Sequence, residues 1–77
     1  MKNVIYRFMI KRSASKFVCM FYDEDRKLVV NKMKAYRKTN GYSYTENGHT
    51  FTCLDLILRE ETLTGEVLSE TSYYKLA

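Results

Sequence analysis

The sequence predicts an α+β fold: an antiparallel β-sheet of about five strands with one helix packed on a face, in the order β-β-α-β-β-β. Three observations predict it. Residues 3–11 alternate with period two and are rich in β-branched and aromatic side chains. Residues 23–41 hold an amphipathic helical pattern between an acidic start and an Asn-Gly end. Residues 42–53 place Asn47-Gly48, the dipeptide of a two-residue hairpin turn, between aromatic segments. The 77 residues are 45% apolar and 14% aromatic, with no proline, which describes a single folded domain (1–77) without a linker.

Each element has a local reason. Val4, Tyr6, Phe8 and Ile10 share one strand face and go to the core; Ile5, Arg7, Met9 and Lys11 share a face that is at least partly wet. The loop "KRSASK", residues 11–16, is short enough to make an antiparallel hairpin with "FVCMFY", residues 17–22. That second strand is apolar on both faces and is expected in the middle of the sheet. Asp23 is the expected helix N-cap, with Glu24 and Asp25 in the first turn, where the helix dipole favours acids. Gly41 is the expected C′ residue. Val29, Met33 and Tyr36, with Val30 beside them, form the buried stripe. Lys27, Asn31, Lys34 and Lys38 form a second stripe on another face.

The hairpin should pair Glu46 with His49, Tyr44 with Phe51 and Tyr42 with Cys53. Beyond Cys53 the apolar phase shifts to Leu54, Leu56 and Leu58. A bulge, a strand buried on both faces, or a helix started by the Thr52–Asp55 capping box each explains the shift. Strands are preferred, because Thr64-Gly65 reads as a turn and residues 67–74 alternate again as a last, edge strand.

Catalytic chemistry has little to stand on. His49 sits beside the hairpin turn and reads as solvated. Cys19 and Cys53 lie in apolar runs and read as buried, reduced thiols; with one histidine they are too few for a structural zinc site. Asp23, Glu24 and Asp25 are explained by the helix dipole, and Glu60 and Glu61 point to opposite faces of a strand. There is no glycine-rich phosphate loop. The expectation is a non-enzyme without cofactor or metal. No apolar run approaches 18 residues, so no membrane span is expected. The lysine-led start reads as a strand rather than a signal peptide, which points to the cytoplasm.

Charge is the informative feature. Residues 1–38 carry eleven Lys/Arg and three acids, a formal +8; residues 39–77 carry two Lys/Arg and six acids, a formal −4. A basic half attracts an acidic partner. Alternatively the halves neutralise each other within the fold or across a homodimer. The nucleic-acid candidates are Lys11, Arg12 and Lys16 in the loop with Lys27, Lys34, Arg37 and Lys38 on the helix. Each is able to neutralise a phosphate. Tyr36, Tyr42 and Tyr44, near the basic helix end, are candidates to stack on unpaired bases. RNA is preferred over DNA, because no helix-turn-helix or other groove-reading module is visible.

The segments "MKNVIYRFMIKRS", "NKMKAYRKTNGY" and "YYKLA" give the chain a compositional resemblance to the small early accessory proteins of large tailed phages. That resemblance implies a host-cytoplasmic protein that antagonises a host enzyme, restriction system or toxin. It adds a second expectation: an inhibitor or antitoxin that blocks a host protein by surface contact, with or without RNA. The last strand, ending in Tyr73 and Tyr74, would be its candidate edge for pairing with a partner sheet.

Overall fold

The structure, a computed structural model, describes residues 3–76. Its elements are β1 (Val4–Lys11), β2 (Phe17–Asp23), α1 (Arg26–Asn40), β3 (Ser43–Glu46), β4 (His49–Thr52), β5 (Asp55–Thr62), β6 (Val67–Ser72) and the single helical turn α2 (Tyr73–Leu76). The α+β class is as the sequence predicts. A four-stranded antiparallel sheet has the order β2-β1-β5-β6, and β3-β4 form a separate two-stranded sheet.

The sheet is built around β1 and β5, which pair in unbroken register from Val4 opposite Thr62 to Lys11 opposite Asp55. Helix α1 covers one face. Val29 and Met33 are fully buried there against Phe8, Ile10, Leu56 and Leu58, with Tyr36 and Val30 packed at the margin. Each such aliphatic side chain contributes about 1.5–3 kcal/mol by leaving water. Tyr73 and Leu76, three residues apart on α2, fold back onto the same core.

The hairpin follows the sequence closely. Asn47 (φ 53°) and Gly48 (φ 79°) both adopt the left-handed conformation that a type I′ turn requires. Glu46 pairs with His49 and Tyr44 with Phe51, while the Cys53 amide donates to the Tyr42 carbonyl.

Several expectations shift. The phase change after Cys53 is neither a bulge nor a helix but a break between two sheets: β4 ends at Thr52, the Leu54 amide donates to the Lys11 carbonyl, and β5 begins at Asp55 beside β1. This makes six strands in place of about five. Burial of β5 on both faces is real, since Leu56, Ile57 and Leu58 are buried in succession.

Strand β2 lies at an edge, not in the middle. Its helix-side residues meet α1; on its other face Cys19 and Tyr22 are exposed, with Arg7 of β1 laid over Tyr22 and Arg59 of β5 over Phe17. The helix cap is Asp25, whose carboxylate accepts from the Lys27 and Leu28 amides; Asp23 is the last residue of β2 and its carboxylate accepts from the Asp25 amide. The first turn of α1 therefore holds no acid. Gly41 (φ 64°) ends the helix, its amide donating to the Arg37 carbonyl. The last strand stops at Ser72, two residues early, because Tyr73 and Leu76 reach the core only from a helical turn. Cys53 is buried, but Cys19 is exposed: it faces outward on an edge strand, on the side that α1 does not cover. Both are free thiols.

Candidate nucleic-acid interface

The sequence of α1 contains six cations, Arg26, Lys27, Lys32, Lys34, Arg37 and Lys38, and no acid. Helical periodicity places Lys27, Lys34 and Lys38 opposite Val29 and Met33, so burial of the apolar stripe turns these three outward. All three are exposed, and none has an ion pair among the described residues. At 1.5 Å per residue the stripe is about 16 Å long. Arg37 departs from it. Its guanidinium lies 4.7 Å from the Tyr42 ring centroid, and its Nε is buried with no hydrogen-bond partner among the described residues.

The loop cations do not join the helix stripe as one patch. Lys11 follows Met9 on the sheet face opposite α1, with its ammonium 5.9 Å from the Phe17 centroid. Arg12 turns into the small sheet: its guanidinium is 2.6 Å from the Glu46 carboxylate, 4.1 Å above the Phe51 ring and 5.9 Å from Tyr44. Its side chain is only 15% exposed, so its charge is neutralised inside the fold. Lys16 is exposed in the turn, and its carbonyl accepts from the Arg12 and Ser13 amides.

The tyrosines are also engaged. Tyr36 donates to the Ser43 carbonyl at 2.6 Å and meets Phe8 edge-on at 5.4 Å. Tyr42 lies under Arg37 and Tyr44 beside Arg12. Burial raises the pKa of Tyr36, assisted by Cys53 and Tyr44, and burial likewise raises that of Cys53, so both stay neutral near pH 7.

The sheet face away from α1 has a different character. Arg7 and Arg59 stand directly opposite each other on β1 and β5. Glu61, 8% exposed, lies between them, 3.1 Å from Arg7 and 3.6 Å from Arg59. Arg59 also bonds Glu70 on β6 at 2.7 Å. The arginine planes drape over aromatic rings, Arg7 over Tyr22 at 5.0 Å and Arg59 over Phe17 at 5.2 Å. Met9 and Ile57 are buried on this face although no helix covers it; the arginine stems and rings do so. Contact with the Cys19 sulfur and then with Glu61 raises the pKa of Arg7 further, so this guanidinium stays charged. Two cations meet two carboxylates here, and the surface neutralises itself.

On the flank of α1, about a third of the way round the helix from the lysine stripe, a groove of about 410 Å³ opens between α1 and the edge strand β2. Phe8 forms its floor, Met20 and Phe21 one wall, Ala35 and Tyr36 the other. Lys32 stands at its rim, 5.3 Å from the Phe21 centroid. A bulge at the Phe8/Met9 step makes Met20 the extra residue of β2, and both Met20 and Phe21 line the groove. Sequence reading passed over Met20, Phe21 and Lys32; the one local signal was a methionine inside an apolar, aromatic-rich strand.

Compared with known proteins, the chain matches no protein-family model, no curated protein and no solved structure. Surface chemistry therefore carries the functional reading.

Proposed function

We propose that this is a non-enzymatic binding protein that holds nucleic acid, RNA before DNA, by its phosphates along the outer face of α1. One observation supports it above the rest. Arg7, Arg12 and Arg59 are each ion-paired within the fold, whereas Lys27, Lys34 and Lys38 stand exposed and unpaired among the described residues. Of the eleven cations in residues 1–38, only Arg7 and Arg12 are paired with acids of residues 39–77 among the described residues. Most of the basic half thus keeps its field. No second full helix braces α1 among the described residues, so a helix-turn-helix reading of a DNA groove has no scaffold. Phosphate contact with an exposed strand fits the surface better.

Titration of binding to a mixed-sequence single-stranded RNA against salt tests the reading. Each phosphate neutralised contributes about 0.7 to the log–log slope. The Lys27→Ala, Lys34→Ala, Lys38→Ala triple variant should lower the slope by about 2 and leave folding stability within about 0.5 kcal/mol per site. Absence of binding at low salt, or an unchanged slope in the triple variant, overturns the assignment.

A second reading, an inhibitor or antitoxin that binds a host protein, draws on the free edge of β6. Val67 and Leu68 are about half exposed there (48% and 49%), and no strand among the described residues pairs with their outer side. Strand addition at such an edge, by a partner or by a second copy in a homodimer, uses backbone hydrogen bonds. It predicts a complex that survives nuclease treatment and is lost in Leu68→Pro.

A further inference from the structure

We propose that the groove between α1 and β2 takes one unpaired nucleobase from the strand whose phosphates lie along α1, making the protein selective for single-stranded over duplex nucleic acid. The inference rests on the phosphate reading of the same helix and adds what that reading lacks, a reason to prefer one nucleic-acid form.

Geometry and charge point the same way. The groove is open, apolar at its base and within the size range of small-molecule sites. Its wall includes the Phe21 ring, its floor is Phe8, and Tyr36 is held in place by its bond to the Ser43 carbonyl. A planar base needs such a setting: aromatic surface to stack on, and walls that do not collapse.

The rim supplies the charge. Lys32 stands 5.3 Å from the Phe21 centroid, so the phosphate attached to a seated base falls beside an ammonium. Lys32, Ala35 and Thr39 recur at i, i+3 and i+7 along the flank of α1, about a third of the way round the helix from the stripe of Lys27, Lys34 and Lys38. A strand that leaves that stripe toward Lys32 reaches the mouth of the groove. No acid lines the groove to repel it. At its far end the Asn40 side-chain amide offers both donor and acceptor to a base edge.

Charge complementarity also selects the occupant. An apolar peptide would bury its side chains equally well, but it has no use for six cations and no acid on the adjoining helix. A stacked duplex cannot enter, because its bases are paired and inaccessible from the phosphate side.

The test compares three probes of equal length: a mixed-sequence single-stranded RNA, the same backbone with abasic positions, and a duplex. Binding to wild-type protein is measured by fluorescence anisotropy at one salt concentration, and salt slopes are taken for each. The intact strand should bind about 10-fold more tightly than the abasic one, in line with about 1–3 kcal/mol for one stacked base. Ala35→Leu narrows the groove and Met20→Ala removes part of a wall. Both positions are exposed, and neither change alters charge. Each should shrink the 10-fold gap while leaving the salt slope as in wild type. Equal affinity for intact and abasic strands overturns the groove assignment but leaves the phosphate reading standing, as does a gap that neither variant changes. Failure of all three probes to bind overturns both.

Discussion

On the face of the sheet away from α1, Arg7 and Arg59 each have a carboxylate within 4 Å; on the outer face of α1, Lys27, Lys34 and Lys38 have none among the described residues. The first surface uses charge to cover apolar residues that no helix shields. The second leaves charge exposed above a core that is already closed. Arg7 and Arg59 are therefore part of the fold, and Lys27, Lys34 and Lys38 are left to act on something else. The contrast predicts two classes of substitution. One should change stability without changing binding, and the other should do the reverse.

The largest effect should come from Glu61. Glu61→Ala removes the buried carboxylate, opposite Ile5 in the register, that bridges two directly opposed arginines. Breaking a buried ion pair costs about 3–5 kcal/mol. The arginines are partly exposed and able to rehydrate, so a loss of about 2–3 kcal/mol in urea denaturation is expected. The salt slope of RNA binding should stay unchanged. A fall in the slope would mean that the open face shares in binding, and the contrast would collapse.

Arg12 sharpens the same division from the loop. By position it belongs with Lys11 and Lys16; by contact it belongs with Arg7 and Arg59. Arg12→Ala removes the Glu46 pair and the contact with Phe51, which together should cost about 2 kcal/mol. Hydrogen exchange should show the loss concentrated in β3 and β4. Lys16→Ala should leave stability within about 0.5 kcal/mol, because the exposed Lys16 side chain makes no ion pair among the described residues and only its backbone carbonyl meets Arg12.

These residues also mark where sequence reading reaches and where it stops. The lysine stripe was legible because helical periodicity is local: Val29 and Met33 go in, so Lys27, Lys34 and Lys38 come out. The hairpin was legible because Asn47-Gly48 specifies its own turn. Arg12 was not, since its partner Glu46 is 34 residues away and reaches it only after the hairpin docks. The edge position of β2 was hidden for a related reason. Apolar residues on both faces suggest a central strand, but here the second face is partly open, with arginines of β1 and β5 laid over Tyr22 and Phe17. Cys19 looked buried in the same run and is not. The break between β4 and β5 depends on which strand Asp55 pairs with, and no local pattern states that.

A further effect concerns pH and the helix side. There Tyr36, partly buried, and Cys53, buried, are neutral, and burial raises the pKa of each above its unfolded value. Below the unfolded value, folded and unfolded chains hold the same proton and stability is unaffected. As pH rises past it, the unfolded chain releases the proton first, so the folded state binds more protons and loses ground. The loss should begin near pH 8.5–9 from Cys53 and grow above about pH 10 from Tyr36. On the open face Arg7 is held charged through this range, so the alkaline loss should fall on the seat of α1. Tyr36→Phe tests this. At pH 7 it should cost about 1 kcal/mol for the bond to the Ser43 carbonyl. Between pH 10 and 11 its stability should fall less steeply than that of wild type, as followed by urea denaturation at each pH. An equal slope would place the alkaline sensitivity elsewhere, and the helix side would then be held by apolar contact alone.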